Sequence, residues 1–416
     1  MKTAASGLLL TLLLIVAAPQ ACVESTSSRR GAQQSGAGPS GGPTAGSGTG
    51  SSGFDKRALL AHLGQEVIVT VYIEFAAAAA SVEAAAVGYA SSLGDREALE
   101  DAWRDAMAIW EQAEVMLVGP AGDSGATAGG RDLRHEIYSW PLVNRCLTDQ
   151  KLVSGEYLDP EAFKNQLITA RGLAALEYLI FNQSTQNACS PQSSINAQGT
   201  WAAIVDELPQ RRADYAVTLA QLLHEQAAAL LSAWVAEQGN FVGELASAGN
   251  GSTVYASDQA ALNAISDALF YLDIKTKDVK LAVPVGLTDC ATAICPEALE
   301  STYAGFAKDE VRANIVGFAR IFHGGAREDA DALGFDDWLV AAGAPELAER
   351  MGDDIEAALA AVDAIEEDDL ADALVADKAS VESLYLATKA ITDELKSQFV
   401  TVLDLELPQG AEGDND

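Results

Sequence analysis

An acid inside an apolar helical run is the first feature of this sequence that could carry chemistry. In "ARGLAALEYLIFN", residues 170–182, Glu177 is the one carboxylate among side chains suited to a core. A buried ionised acid is costly unless it is paired, protonated or bound to a cation, so Glu177 either turns to solvent or has a partner. The segment Glu300, Ser301, Thr302, Tyr303 and Gly305 gathers an acid, hydroxyls and a glycine in irregular chain, where sites concentrate. Its alternative role is capping, with Ser301 or Thr302 serving free amides of the next helix. Trp140 beside Pro141 offers either an apolar pocket wall with one donor or a core ring at a helix end. Arg312, in "DEVRANIVGF", is expected to pair with Glu177 or Glu300 and hold the two halves of the fold in register.

Other chemistries find little support. His62, His135, His224 and His323 are too scattered for a metal site read from spacing. His135 and His323 either approach the acids through space or sit at helix ends and surfaces. The acidic run "AIEEDDLADALVAD", residues 364–377, lacks the alternating oxygen ligands of a calcium loop and reads as a solvated helix junction. There is no Gly-x-Ser-x-Gly, His-Glu-x-x-His or phosphate loop.

The elements that must position these residues are helical. Trp103, Met107, Trp110 and Leu117 mark one face at three-to-four spacing before Gly119-Pro120, and Val381, Leu384, Thr388, Ile391, Leu395 and Val402 repeat the pattern. Further helical runs cover 57–92, 160–182, 201–237, 257–272, 308–322 and 345–365, with Pro209 expected to kink its run or mark its true start. Breaks fall at the Gly-rich 119–132, at 182–199 and across 275–298. The pattern predicts an all-α protein of two four-helix-bundle-like halves, residues 54–200 and 201–408, followed by an acidic tail at 409–416.

Composition bounds the partners. With 60 acids against 26 Lys plus Arg, a net charge of −34, the surface excludes nucleic acid and suits a solvated protein compatible with cation capture. The N-terminus, "MKTAASGLLLTLLLIVAAPQAC", has one Lys, an apolar run from Leu8 to Ala18 and small residues before Cys22, the form of an export signal. Ala21-Cys22 suggests a bacterial lipoprotein junction with Cys22 lipidated, although Pro19 stands where such signals have Leu; the alternative is cleavage that leaves a soluble protein, whose preferred A-x-A pattern is also absent. Residues 23–53, almost all Ser, Gly, Thr, Pro, Ala and Gln, then form a disordered tether with a mean span on the order of 30 Å. The expected location is the cell envelope, membrane-anchored through that lipid and facing the periplasm or the cell surface. Cys146, Cys189, Cys290 and Cys295 remain as an even set that suggests disulfides in an exported chain; the connectivity is open, and if Cys290 closes a small loop with Cys295, Cys146 with Cys189 is the second pair.

Five segments in order, "AWRDAMAIWEQAEVMLVGP", "IYSWPLVNR", "RGLAALEYLIF", "KLAVPVGL" and "ESTYAGFAKDEVRANIVGF", resemble the imelysin family of exported bacterial proteins, first grouped as peptidases and later linked to iron uptake. The resemblance spans residue 54 to about 408. It implies that Gly172 and Glu177 occupy the Gly and Glu positions of a Gly-x-His-x-x-Glu helix, with Ala174 where the family has His. His and Glu three apart share a helix face, a spacing that metal-binding bundles use, whereas Ala supplies neither lone pair nor proton. It also implies that the 300–305 loop approaches the motif helix across the boundary between halves. The expectation is therefore a ligand-binding envelope protein associated with metal or iron acquisition, its ligand a metal ion or small molecule and Glu177 the retained motif ligand. Metallopeptidase activity and a purely structural or partner-binding role are the alternatives.

Overall fold

The computed structural model describes residues 53–329, 331–408 and 410–411, which are helical with no strand among them. The expected signal peptide, Cys22, nearly all of the tether and most of the acidic tail lie outside the described residues. The principal helices are α1 (Lys56–Ser92), α2 (Arg96–Glu114), α3 (Leu133–Ile137), α4 (Arg145–Ser154), α5 (Gly172–Phe181), α6 (Leu208–Trp234) and α7 (Asp258–Leu269). A π-helix, Leu272–Ala282, follows, then α8 (Ala307–Phe322), α9 (Pro345–Asp363) and α10 (Lys378–Glu394).

Local chemistry sets the ends. The Asp95 carboxylate caps α2 by accepting from the Ala98 amide, and Asn144 does the same for α4 from Leu147. Pro209 sits in the first turn of α6 and marks its start, where a missing N–H is harmless. The run expected as one helix over 160–182 is instead broken after Phe163: Arg171 is extended and Gly172 has φ of 72°, so α5 begins there. The break expected across 275–298 begins later, because the π-helix carries the chain to Ala282.

Helices α1, α2, α5 and α6 pack as one four-helix group, and the π-helix, α8, α9 and α10 as a second, with α2 and α8 in direct contact between them. Helix α6 lies beyond the expected boundary at 200/201 yet packs on α1 and α5, so the first group runs across that position. Trp103, Met107 and Trp110 of α2 are fully buried, Leu117 is half-buried, and on the C-terminal stripe Val402 is exposed. Helix α1 is long and apolar enough to cross a bilayer by length and composition, and its Val71, Phe75, Ala79 and Val82 are buried in the core. Disulfides join Cys146 to Cys189 and Cys290 to Cys295.

Candidate functional site

Helix α5 is seated by backbone approach. A Cβ on Gly172 would lie 2.4 Å from the Ile137 carbonyl oxygen, so only glycine lets α5 start against the end of α3. The Trp103 indole donates to the Leu173 carbonyl at 3.0 Å and fixes α5 against α2. This depth buries Ala174 and Glu177, each 4% exposed.

The Glu177 carboxylate turns to the 300–305 loop, where one oxygen accepts the amides of Tyr303 at 2.8 Å and Ala304 at 3.1 Å. Burial pushes its pKa up from 4.5 to about 7; the two amides and the Arg145 guanidinium oppose the rise, and nearby Glu300 adds to it. Arg145 lies over the Tyr303 ring, 4.8 Å from its centroid, and donates to the Thr302 hydroxyl at 3.3 Å. Tyr303 is the partly exposed edge of this arrangement.

The same loop reaches a second set of charges. Glu300 accepts the Tyr138 hydroxyl at 2.5 Å and pairs with the Lys280 ammonium at 2.6 Å. Lys280, from the π-helix, also binds Glu111 of α2, and Ser301 donates to Glu310 in the first turn of α8. Asn314 donates at 2.7 Å to both the carboxylate and the carbonyl of Glu111. One carboxylate oxygen from each of Glu111, Glu300 and Glu310 falls within 4.8 Å of the others. All four charged side chains are at most 2% exposed.

One ammonium cannot balance three carboxylates in this medium. Burial, then Glu300, push Glu111 up to about 8 against the opposing pull of Lys280. Burial, Glu300 and Glu111 raise Glu310 well above the ordinary range. Burial by itself would lower Lys280, but the three acids outweigh it and keep the ammonium protonated. The rings of Trp140 and Tyr271 lie 5.6 Å and 5.4 Å from that ammonium. Beside them Glu114 is held by Arg134 through two nitrogens, at 3.0 Å and 2.8 Å.

Gly172, Glu177, Glu300, Ser301, Tyr303 and Trp140 are thus joined in one contiguous network. Arg312 is not part of it: its side chain is exposed and lies 3.3 Å from Asp363. The cation beside Glu300 is Lys280 and the partners of Glu177 are backbone amides, so the expected guanidinium pair does not form. Ser301, with φ of 40°, spends its hydroxyl on Glu310 rather than capping α8. The imidazoles are engaged elsewhere: His62 with the Gly324 carbonyl, His224 with Glu83, His323 with Asp336, and His135 beside Asp123.

Reasoning from sequence missed Glu111, Glu310, Lys280 and Tyr138. A signal was present for the first: Glu111 stands four residues after Met107 and Glu114 four after Trp110, which places acids along the apolar stripe of α2. The converging donors are all carboxylate oxygens, which fit a hard cation, whereas a zinc peptidase site needs three mixed ligands and an open position. Glu177 has no imidazole beside it and gives one oxygen to two amides.

Comparison with known proteins agrees with this architecture. The family model described as imelysin, peptidase M75, matches residues 68–398. The iron-regulated protein A of Synechococcus elongatus is 26% identical over 273 residues, 65% of this chain and 64% of that protein, so the match spans just under two thirds of the relative's length. A crystal structure described as an iron-regulated protein A precursor, from Parabacteroides distasonis, superposes with a TM-score of 0.63 at 17% identity, covering 84% of this chain and 94% of the other. An imelysin-like protein from Psychrobacter arcticum gives 0.60 at 18% identity, covering 85% and 96%. At those identities the two structures share the fold.

Proposed function

Because the chain belongs to the imelysin family over residues 68–398, we propose that it is an exported envelope protein that binds a metal ion or small metal-bearing ligand in connection with iron supply, and does not cut peptides. The observation that carries this reading is Ala174, three residues before a Glu177 whose oxygen is occupied by two amides. Metal-assisted peptide hydrolysis requires a cation on several protein ligands and a water activated by it, and a methyl group contributes to neither. The neighbouring buried acids supply oxygen donors, and all four histidines are engaged elsewhere.

The iron connection comes from relatives whose names describe them as iron-regulated, and the net charge of −34 suits a protein that concentrates cations. We place the protein at the envelope on its apolar N-terminal run, Ala21-Cys22 and the Ser/Gly-rich stretch that follows, with the lipid on Cys22 as the membrane anchor.

The test is titration of the purified chain with Mn²⁺ and Fe²⁺, beside Ala174→His, and incubation with unfolded peptide substrates with and without chelator. Stoichiometric binding and no cleavage are expected. Chelator-sensitive cleavage lost in Glu177→Gln would establish the peptidase instead, and absence of metal binding at micromolar protein would remove the binding reading.

A further inference from the structure

We propose that the cation is held by Glu111, Glu300 and Glu310, with Lys280 as a built-in counter-charge, and not by the motif acid Glu177. This rests on the metal-binding reading above and names the ligand set for it.

The three acids come from three separate elements, α2, the loop before α8, and α8, and converge to within 4.8 Å. Oxygens at that separation surround a central point at a distance close to the roughly 2.3–2.6 Å of calcium–oxygen bonds, and small inward movement suits smaller ions. Convergence of acids alone would not make a site. The second observation is that Glu111 Oε1 and Glu310 Oε2 have no hydrogen-bond partner among the described residues, although both side chains are fully buried. Buried polar atoms in native proteins are almost always satisfied, and once these two groups ionise, each open oxygen can be satisfied only by a donor or a cation.

The remaining lone pairs are already ordered. The Tyr138 hydroxyl fixes Glu300, Ser301 fixes Glu310, and Asn314, itself held by Thr276 at 2.9 Å, fixes Glu111. Such outer partners orient ligands and are a regular part of built metal sites. Lys280 neutralises part of the charge, so a divalent ion need not carry the whole cluster. Glu177 lacks this arrangement: one of its oxygens accepts two amide donors, and it joins no group of three candidate ligand residues among the described residues.

A cavity of about 610 Å³ shares the Tyr271 side chain with the surroundings of the cluster, although none of the three acids lines it. Glu114 and Tyr271 lie in its wall, and the Tyr271 ring lies 5.4 Å from the Lys280 ammonium. Asp267 and Glu406 join Glu114 in that lining against Lys275, which makes it net negative. All-carboxylate donors select hard, oxygen-seeking ions of the Mg²⁺, Ca²⁺ and Mn²⁺ type over soft ones.

The experiment is Mn²⁺ binding to the full chain, read from loss of the free-ion electron paramagnetic resonance signal. One ion per chain is expected, with affinity reduced at least about tenfold in Glu111→Gln and in Glu310→Gln, and within about threefold of the parent in Asp363→Asn, an exposed acid outside the cluster. If the parent binds and Glu177→Gln abolishes binding while Glu310→Gln does not, this ligand set is overturned and the metal-binding reading stands. If the parent binds neither Mn²⁺ nor Fe²⁺, both fall together. Should the Gln variants unfold, as circular dichroism would show, anomalous scattering from a Mn²⁺-soaked crystal of the parent decides: a peak among the three carboxylates supports the assignment, and a peak at Glu177 defeats it.

Discussion

Replacing Glu177 by Gln should convert a pH-dependent stability into a flatter one, by an amount the burial of this residue sets. The folded chain holds the Glu177 proton to about pH 7, whereas the unfolded chain releases it near 4.5. Between those values the folded state binds more protons, so stability falls as pH rises through the window and reaches its lower plateau above pH 7. The interval, 7 − 4.5 or 2.5 units, corresponds to about 3 kcal/mol at roughly 1.4 kcal/mol per unit.

Gln is close in shape, and its carbonyl oxygen can accept both loop amides, which now converge on one oxygen of Glu177. Its fixed cost does not change with pH. Asp149 and Asp267, both raised to about 6 chiefly by burial, and Glu111 also titrate, so the useful quantity is the difference between variant and parent. Urea denaturation in chelator from pH 4.5 to 8.5 should show Glu177→Gln gaining about 3 kcal/mol on the parent across the range. Parallel curves would refute the argument. A difference running the other way would mean that the two amides outweigh burial and keep Glu177 ionised in the fold.

Two further outcomes follow from the chain's geometry and its N-terminus. Gly172→Ala combines a left-handed backbone with a Cβ placed 2.4 Å from the Ile137 carbonyl, whereas Gly199, with φ of 69°, has nothing within 4 Å. The backbone cost is about 1–2 kcal/mol at either position, so thermal unfolding should show at least twice the loss for Gly172→Ala, and equal losses would dismiss the contact. Expressed in a bacterial host with labelled palmitate, the parent should take up label and partition with membranes, while Cys22→Ser should do neither; an unlabelled, soluble parent would end the lipoprotein reading.

The helices were legible because their buried faces repeat at three-to-four spacing, as Trp103, Met107 and Trp110 do. The π-helix was not, since i→i+5 bonding displaces its buried side chains from that period and its interior includes Asp273, Thr276, Lys277 and Lys280. Lys280 therefore read as part of a turn. The pairing of Glu300 was misjudged for a related reason: Arg312 lies two residues past Glu310 on α8, and that offset carries it to the exposed side while Glu310 points inward. Sequence identified a partner of the right charge but could not tell which cation the packing of three other elements would deliver.

The acid cluster owes its geometry to backbone contacts that are independent of the altered motif position. A Cβ on Gly317 would lie 2.5 Å from the Gln112 carbonyl, so glycine lets α8 approach α2 closely and brings Asn314 within reach of Glu111. The loop then joins the two groups of helices at successive residues: Glu300 to Tyr138 and Lys280, Ser301 to Glu310, Tyr303 and Ala304 to Glu177. Ala174 makes none of these bonds. Alanine at that position offers no donor beside Glu177, while the three carboxylates, their orienting partners and the α2–α8 approach are set by other residues. The arrangement of the three acids is therefore independent of residue 174, and Glu177 serves as the acceptor that pins the loop supplying Glu300.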